Sequence, residues 1–227
     1  MTELVAEYDN FHFHTTDPVF YQSIITGRTE PYPCHLDIVQ KYVTMFPDKN
    51  RTYIDVGAHI GTTVLPYSRI FNNVVAYEPN PHTYDYLKKN VEVNEIQNVK
   101  IYNLALFSEL CRGVVIQHNY GNSGCFHFQK KENGFVLART LDSESIRKKI
   151  EEIDFIKLDA GGCEYLILQG GKQTIMKNKP LIQIETNENA MQLFQVDHTD
   201  TFQFLYDLGY QIFDDSIPNA VFLHCPL

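Results

Sequence analysis

From residue 53 onward, short apolar runs of strand length alternate with longer stretches of helical period. Residues 53–55, 74–78, 99–104, 135–139, 153–158 and 181–185 read as strands. Between them, residues 62–71 and 83–93, a segment after Asp142 and one from Glu164 to the Asn178-Lys179-Pro180 turn read as helices. Such alternation predicts a parallel sheet with right-handed crossovers. In the helix over 83–93, Tyr84, Leu87 and Val91 share a face that should pack on the sheet, with Lys88, Lys89 and Asn90 pointing away. Asp142 is placed to cap a helix that carries Ile146 and Ile150 one turn apart. Residues 107–133 read as irregular. Residues 201–208 predict a helix stopped by Gly209, and residues 210–213 and 220–224 a terminal hairpin.

Ahead of the turn-rich Pro47-Asp48-Lys49-Asn50 the pattern differs. Residues 1–50 are aromatic and punctuated by proline, with one predicted helix over 36–45 whose Ile38, Tyr42 and Met45 can share a face. They are read as a small N-terminal cap on a single domain formed by residues 51–227. A chain of 227 residues suffices for one sizeable α/β core and is short for two.

The net charge of -9 and the pI near 5.4 argue against a broad phosphate-binding surface, so nucleic acid is not an expected partner. The basic runs Lys88-Lys89 and Arg147-Lys148-Lys149 fall on amphipathic helices and read as solvated faces. Five cysteines are scattered without CxxC spacing, which fits neither a disulfide framework nor a zinc site and predicts reduced thiols in a cytoplasmic compartment. No signal peptide or membrane span is expected, because no long apolar run occurs.

The candidate chemistry lies at strand ends. Asp55-Val56-Gly57-Ala58-His59-Ile60-Gly61 joins a strand to a helix, where glycines let the backbone turn sharply and approach a ligand, although the spacing is not G-x-G-x-x-G. Glu78 closes the next strand, 21 residues after Gly57, close to the spacing at which an acid reaches ribose hydroxyls. A helix cap or a surface acid is the other reading of Glu78. Asp159 and Glu185 end what should be adjacent strands, beside the crevice where wound sheets bind ligands. A carboxylate there can take the proton of a hydroxyl nucleophile, and Asp159 is the first candidate, its alternative being a helix cap. Glu185 is the second, its alternative a structural acid. The pair could also hold Mg²⁺, but no metal-ligand spacing supports that. His12, His14, His35 and His198 read as surface or satisfied polar side chains.

Four segments in order, Asp55-Val56-Gly57-Ala58-His59-Ile60-Gly61, Tyr77-Glu78-Pro79-Asn80-Pro81, Asn103-Leu104-Ala105-Leu106 and Ile153-Asp154-Phe155-Ile156-Lys157-Leu158-Asp159, resemble the FkbM-type class I S-adenosylmethionine-dependent methyltransferases. The resemblance spans roughly residues 53–185. It implies a Rossmann-like α/β fold: a seven-stranded, mostly parallel sheet with an antiparallel terminal hairpin and helices on both faces. It also implies S-adenosylmethionine as cofactor, with Asp55, Gly57, Ala58 and Gly61 along its methionine and ribose, Glu78 on the ribose, and Ala105 and Leu106 on the adenine. His59, Thr62, Pro79, Asn80 and Asp159 complete that implied set. The segment holding His118, Asn122 and Ser123 stands where the family has a Gly, Ser and Asn loop near the acceptor, though such residues also make ordinary turns. The implied reaction is O-methylation of a sugar or another small polyhydroxylated acceptor, selected in part by the cap.

Two positions depart from the family. His59 stands where Asn is usual, so its protonation would matter near about pH 6.5. Asp159-Ala160-Gly161-Gly162-Cys163-Glu164 stands where the pattern reads Asp-Val-Glu-Gly-x-Glu, so the acid at 161 is missing. A cofactor-binding protein with weak or no catalysis is therefore an alternative, and an NAD-type oxidoreductase a third.

Overall fold

The computed structural model describes residues 2–26, 36–117, 123–214 and 219–225. The chain opens with a hairpin of β1 (Leu4–Tyr8) and β2 (Phe11–Thr15), joined by Asp9 and Asn10, which both take left-handed backbone, as short polar side chains tolerate. Helices α1 (Pro18–Thr26) and α2 (Leu36–Met45) follow. The alternating region then runs β3 (Thr52–Val56), α3 (Val64–Tyr67), β4 (Asn73–Tyr77), α4 (Pro81–Val93) and β5 (Val99–Tyr102). Four strands come next: β6 (Ala105–Leu106), β7 (Cys111–Gln117), β8 (Phe126–Lys130) and β9 (Val136–Arg139). After them come α5 (Leu141–Lys148), β10 (Ile153–Leu158), α6 (Glu164–Gly170), α7 (Lys172–Asn178), β11 (Leu181–Glu185), α8 (Glu188–Met191), α9 (His198–Asp207), β12 (Tyr210–Asp214) and β13 (Asn219–His224).

The main sheet has the order β12-β13-β11-β10-β3-β4-β5. The five strands from β11 to β5 are parallel, and β13 runs antiparallel between β11 and β12. This is the Rossmann-like α/β fold with an antiparallel terminal hairpin. Apolar side chains bury both faces. One face packs Ile54, Val56, Ile156 and Ile184 with Ile167 and Ile175 of α6 and α7. The other packs Tyr53, Val74 and Phe155 with Leu65, Leu87 and side chains of the first 45 residues, among them Phe11, Phe13, Phe20, Ile24 and Tyr42.

Several local expectations are corrected. Residues 107–133 are not irregular: β7 and β8 pair antiparallel, and with β6 and β9 they form a second sheet. The helix expected over 62–71 is a single α-turn, and the chain continues as separate turns to Phe71. Thr140, not Asp142, caps α5. The Asp142 carboxylate instead accepts from the N–H groups of Gln173 and Thr174 at the start of α7. Ile146 and Met45 are exposed.

The most consequential correction is Asn90. It is fully buried, because the face of α4 that carries it is covered by β2 rather than by solvent. Its Oδ1 accepts from His14 N at 2.7 Å, while Nδ2 donates to His14 O at 3.2 Å and to Ile60 O at 2.8 Å. Asn94, one turn on, makes the same pair of bonds with the backbone of His12. Two side-chain amides thus act as the missing neighbour strand of β2. Asn90→Ala would strand three backbone groups, and an unpaired buried group costs about 1–3 kcal/mol. Chemical denaturation should show a loss of about 2–4 kcal/mol. Lys88→Ala, on the exposed side of the same helix, should stay within about 0.5 kcal/mol of the parent.

Candidate functional site

Five strand ends converge on one cavity. In spatial order β11, β10, β3, β4 and β5 deliver Glu185, Asp159, Gly57, Glu78 and Leu104 to a cleft of about 530 Å³. The floor is set by a close approach of backbones. Gly57 has φ +84, its N–H donates to Tyr77 O, and a Cβ there would lie 1.7 Å from Asp159 O. Only glycine fits between these two strand ends.

Glu78 is 5 % exposed and turned into the cleft, not out to solvent. Its Oε2 accepts from His59 N and its Oε1 from Asn80 N, both at 2.8 Å. Burial pushes this carboxyl up to about 7. The Thr83 hydroxyl also faces this carboxylate, and acceptor capacity beyond these three contacts is left for an outside donor.

Lys157, near the end of β10, is a buried ammonium between two carboxylates, 2.8 Å from Asp159 Oδ2 and 3.9 Å from Asp55 Oδ1. Burial opposes its charge, but the acids outweigh burial and raise its affinity for a proton. In return, although burial works against it, Lys157 holds Asp159 below the usual carboxylate range. Glu185, in hydrogen-bond contact with Asp159, is pushed up, first by the Asp159 charge and then by burial. At the cleft the corner therefore presents the ionised Asp159 and the protonated Glu185 beside the Lys157 cation, with Asp55 beneath. The side chain of Asp159 keeps 36 % of its surface open, enough to meet a ligand.

Of the residues singled out in the sequence, Gly57, Ala58, His59, Thr62, Glu78, Pro79, Ala105, Leu106, Asp159 and Glu185 border the cleft. Asp55, Gly61 and Asn80 do not. Asp55 is fully buried beneath it, accepting from Thr63 Oγ1 and facing Lys157. Gly61 packs against Leu65 and Leu87, and Asn80 caps α4 by accepting from His82 N. Ser123 touches the ring of His59, Nε2 to Oγ 2.8 Å, while His118, Asn122 and His35 lie outside the described residues. Burial lowers the His59 imidazole to about 4, so it is neutral at physiological pH and the expected transition near pH 6.5 is corrected. His12, His14 and His198 stand away from the cleft; His14 pairs with Glu3 and His198 with Glu188.

Sequence reasoning missed Phe20, Lys157, Cys125, His127, Asn189 and Leu193, which also border the cleft. A lysine inside the apolar run of residues 153–158 was a readable signal, since a charge in a buried strand needs partners. Phe20 and His127 arrive from distant segments and carried none. At the altered position, Gly161 has φ +63, and a Cβ there would lie 1.9 Å from Phe126 O at the start of β8. Among the described residues no group of three or more His, Cys, Asp or Glu could hold a metal ion. No helix among them is long and apolar enough to cross a membrane.

The fold is similar to that of a methyltransferase FkbM from Methylobacillus flagellatus KT, at 17 % identity and a TM-score of 0.53, over 77 % of this chain and 44 % of that one. The chain thus spans less than half of that protein's length. It is also similar to a Staphylococcus aureus protein assigned to the caffeoyl-CoA O-methyltransferases, at 12 % identity and a TM-score of 0.52, over 93 % of each chain. At these identities the likeness is one of fold. No curated protein sequence matches the chain. A sequence model of the FkbM methyltransferase domain matches residues 55–212, more than two thirds of the length, and the chain belongs to that family.

Proposed function

We propose that the chain is an S-adenosylmethionine-dependent methyltransferase acting on a hydroxyl of a sugar or another small polyhydroxylated acceptor. The observation that carries this reading is Glu78, a buried carboxylate fixed by two backbone N–H groups at the rim of a glycine turn and facing a cleft. A vicinal diol is the natural partner of such a group, because two hydroxyl donors match its two oxygens. The cleft volume falls within the range of about 300–1,000 Å³ usual for ligand sites. Gly57, Ala58 and Glu78 would hold the methionine and ribose parts of the cofactor, and Leu104, Ala105 and Leu106 its adenine. When bound, S-adenosylmethionine supplies an electrophilic methyl group.

The chain's own contribution is a positioned base and a dry site. Asp159, kept ionised by Lys157, accepts the proton as the O–H bond of the acceptor breaks. Glu185 keeps its own proton and can donate to the acceptor oxygen or to Asp159. Asn189 and His127 add amide and imidazole groups to the wall, which suits a polyol. Asp159 and Glu185 need no metal to be charge-balanced, since Lys157 already supplies a cation.

A second reading, cofactor binding with little turnover, draws on Gly161. Against it, the place of a side chain at 161 is filled by the backbone of β8, so the change is built into the fold. Gly161→Glu, which restores the family's acid, should lower stability by about 2 kcal/mol or more in denaturant titrations without raising activity. A gain in transfer would favour the reading that the missing acid disables catalysis.

Calorimetric titration should show binding of S-adenosylhomocysteine and none of comparable strength for NAD. Glu78→Gln should weaken S-adenosylhomocysteine by about 10–100-fold, as loss of hydrogen bonds to a charged group does. Because the carboxyl is raised to about 7, it gains a proton as pH falls through that value, so affinity should drop about tenfold between pH 8 and pH 6. In Glu78→Gln that dependence should vanish. Tight NAD binding in place of S-adenosylhomocysteine would overturn the assignment.

Asp159→Asn should leave cofactor affinity within about tenfold and depress methyl transfer by about 10²-fold or more, measured as mass gain on a glycan panel. Undiminished turnover would remove Asp159 from the role of base.

A further inference from the structure

His59 touches both halves of the cleft. Its backbone is left-handed, φ +51, and its N–H donates to Glu78 Oε2 at 2.8 Å. Its ring faces the other way. Nε2 lies 2.8 Å from Ser123 Oγ, and the N–H of Ser123 donates to Asp17 Oδ2. The second oxygen of Asp17 accepts from the N–H groups of Val19 and Phe20 at the start of α1. Phe20 completes the circuit, its ring 4.1 Å from that of His59 and its side chain on the cleft wall. Asp17 and Phe20 are both buried, while His59 and Ser123 are partly buried.

We infer that His59 is a positioning residue that couples the cofactor side of the cleft to the N-terminal segment: its backbone fixes Glu78, and its ring fixes Ser123 and the Asp17–Phe20 wall. The inference rests on the proposed cofactor site and deepens it. Ordering Glu78 around a diol stiffens the His59 turn, and the ring passes that order to Ser123 and Asp17 through contacts that are all direct. Coupling by such a contiguous chain is reciprocal, so a ligand against Phe20 must in turn tighten the hold on the cofactor. Because the imidazole is uncharged, the bond to Ser123 Oγ is one between neutral groups and is steady across physiological pH. Asparagine, the residue usual here in the family, also tolerates left-handed backbone, but its shorter amide does not extend as far as an imidazole Nε2.

The test uses the full chain and S-adenosylhomocysteine as probe, followed by amide hydrogen exchange with mass spectrometry. In the wild type at saturation, exchange over residues 17–20 and at Ser123 should slow by about fivefold or more, the lower end of usual coupling strengths. His59→Asn and Ser123→Ala, each brought to its own saturation, should lose that slowing while the turn at Glu78 stays protected. Slowing that persists in both variants would overturn the coupling. Wild-type protein that fails to bind S-adenosylhomocysteine would overturn the cofactor site, and the coupling with it, so the two failures are distinct.

Discussion

The molecule depends on the pairing of its two central strands, β3 and β10, which are clamped by charge at both ends. Where the pair begins, buried Asp154 accepts from the backbone N–H, Nε and Nη2 of Arg51 at 2.7–3.0 Å. Where it ends, Lys157 stands in register with Asp55 and reaches Asp159 beyond it. A buried charge is costly unless paired, and removing one member of such a pair leaves the other uncompensated. The clamps therefore fix register more than they add stability. Register is what the site requires, since a shift of one residue would carry Gly57 away from Asp159 and open the cleft floor.

The N-terminal segment is held by a different kind of physics. Phe11, Phe13, Phe20 and Ile24 enter the same apolar cluster as Tyr53 and Leu87, so the segment shares a core with the sheet it covers. Among the described residues its strand β2 has a partner strand on one side only. On the other side Asn90 and Asn94 of α4 serve its backbone, which covers an edge that would otherwise invite pairing with another chain. One consequence reaches the site: the anchored hairpin fixes where α1 begins, and the start of α1 places Phe20 at the cleft and Asp17 against Ser123.

The main sheet was legible because its strands are buried on both faces and read as continuous apolar runs, as in β10 and β11. The second sheet was not. Strand β7 alternates poorly, with Gly113 in its middle, so neither period stands out. The hairpin at the start did carry a signal, Phe11-His12-Phe13-His14, but an Asp-Asn turn is less telling than Asn-Gly. At the site, Gly57, Glu78, Asp159 and Glu185 were legible because strand ends are where wound sheets bind ligands. Asp55 was assigned by the family resemblance instead. It lies inside β3, not at its end, and points to Thr63 and Lys157 beneath the cleft. The inward face of Asn90 could not be read from helical period, because the period gives the angle between side chains and not which neighbour covers them.

The two departures from the family pattern fit together when charge is counted. Asp55, Asp159 and Glu185 already surround the single ammonium of Lys157, and Glu185 keeps its proton mainly because Asp159 lies beside it. A further carboxylate at 161 would raise that repulsion in a place with no second cation among the residues bordering the cleft. With glycine at 161, the backbone of β8 comes close and sets Phe126 and His127 into the wall, while Cys125 and Gly124 lead back to Ser123 and the ring of His59. Gly161 and the imidazole of His59 are thus joined through one stretch of chain, residues 123–127. A negative charge is given up on the β10 side, and the strand that takes its place begins three residues beyond the hydroxyl that His59 holds.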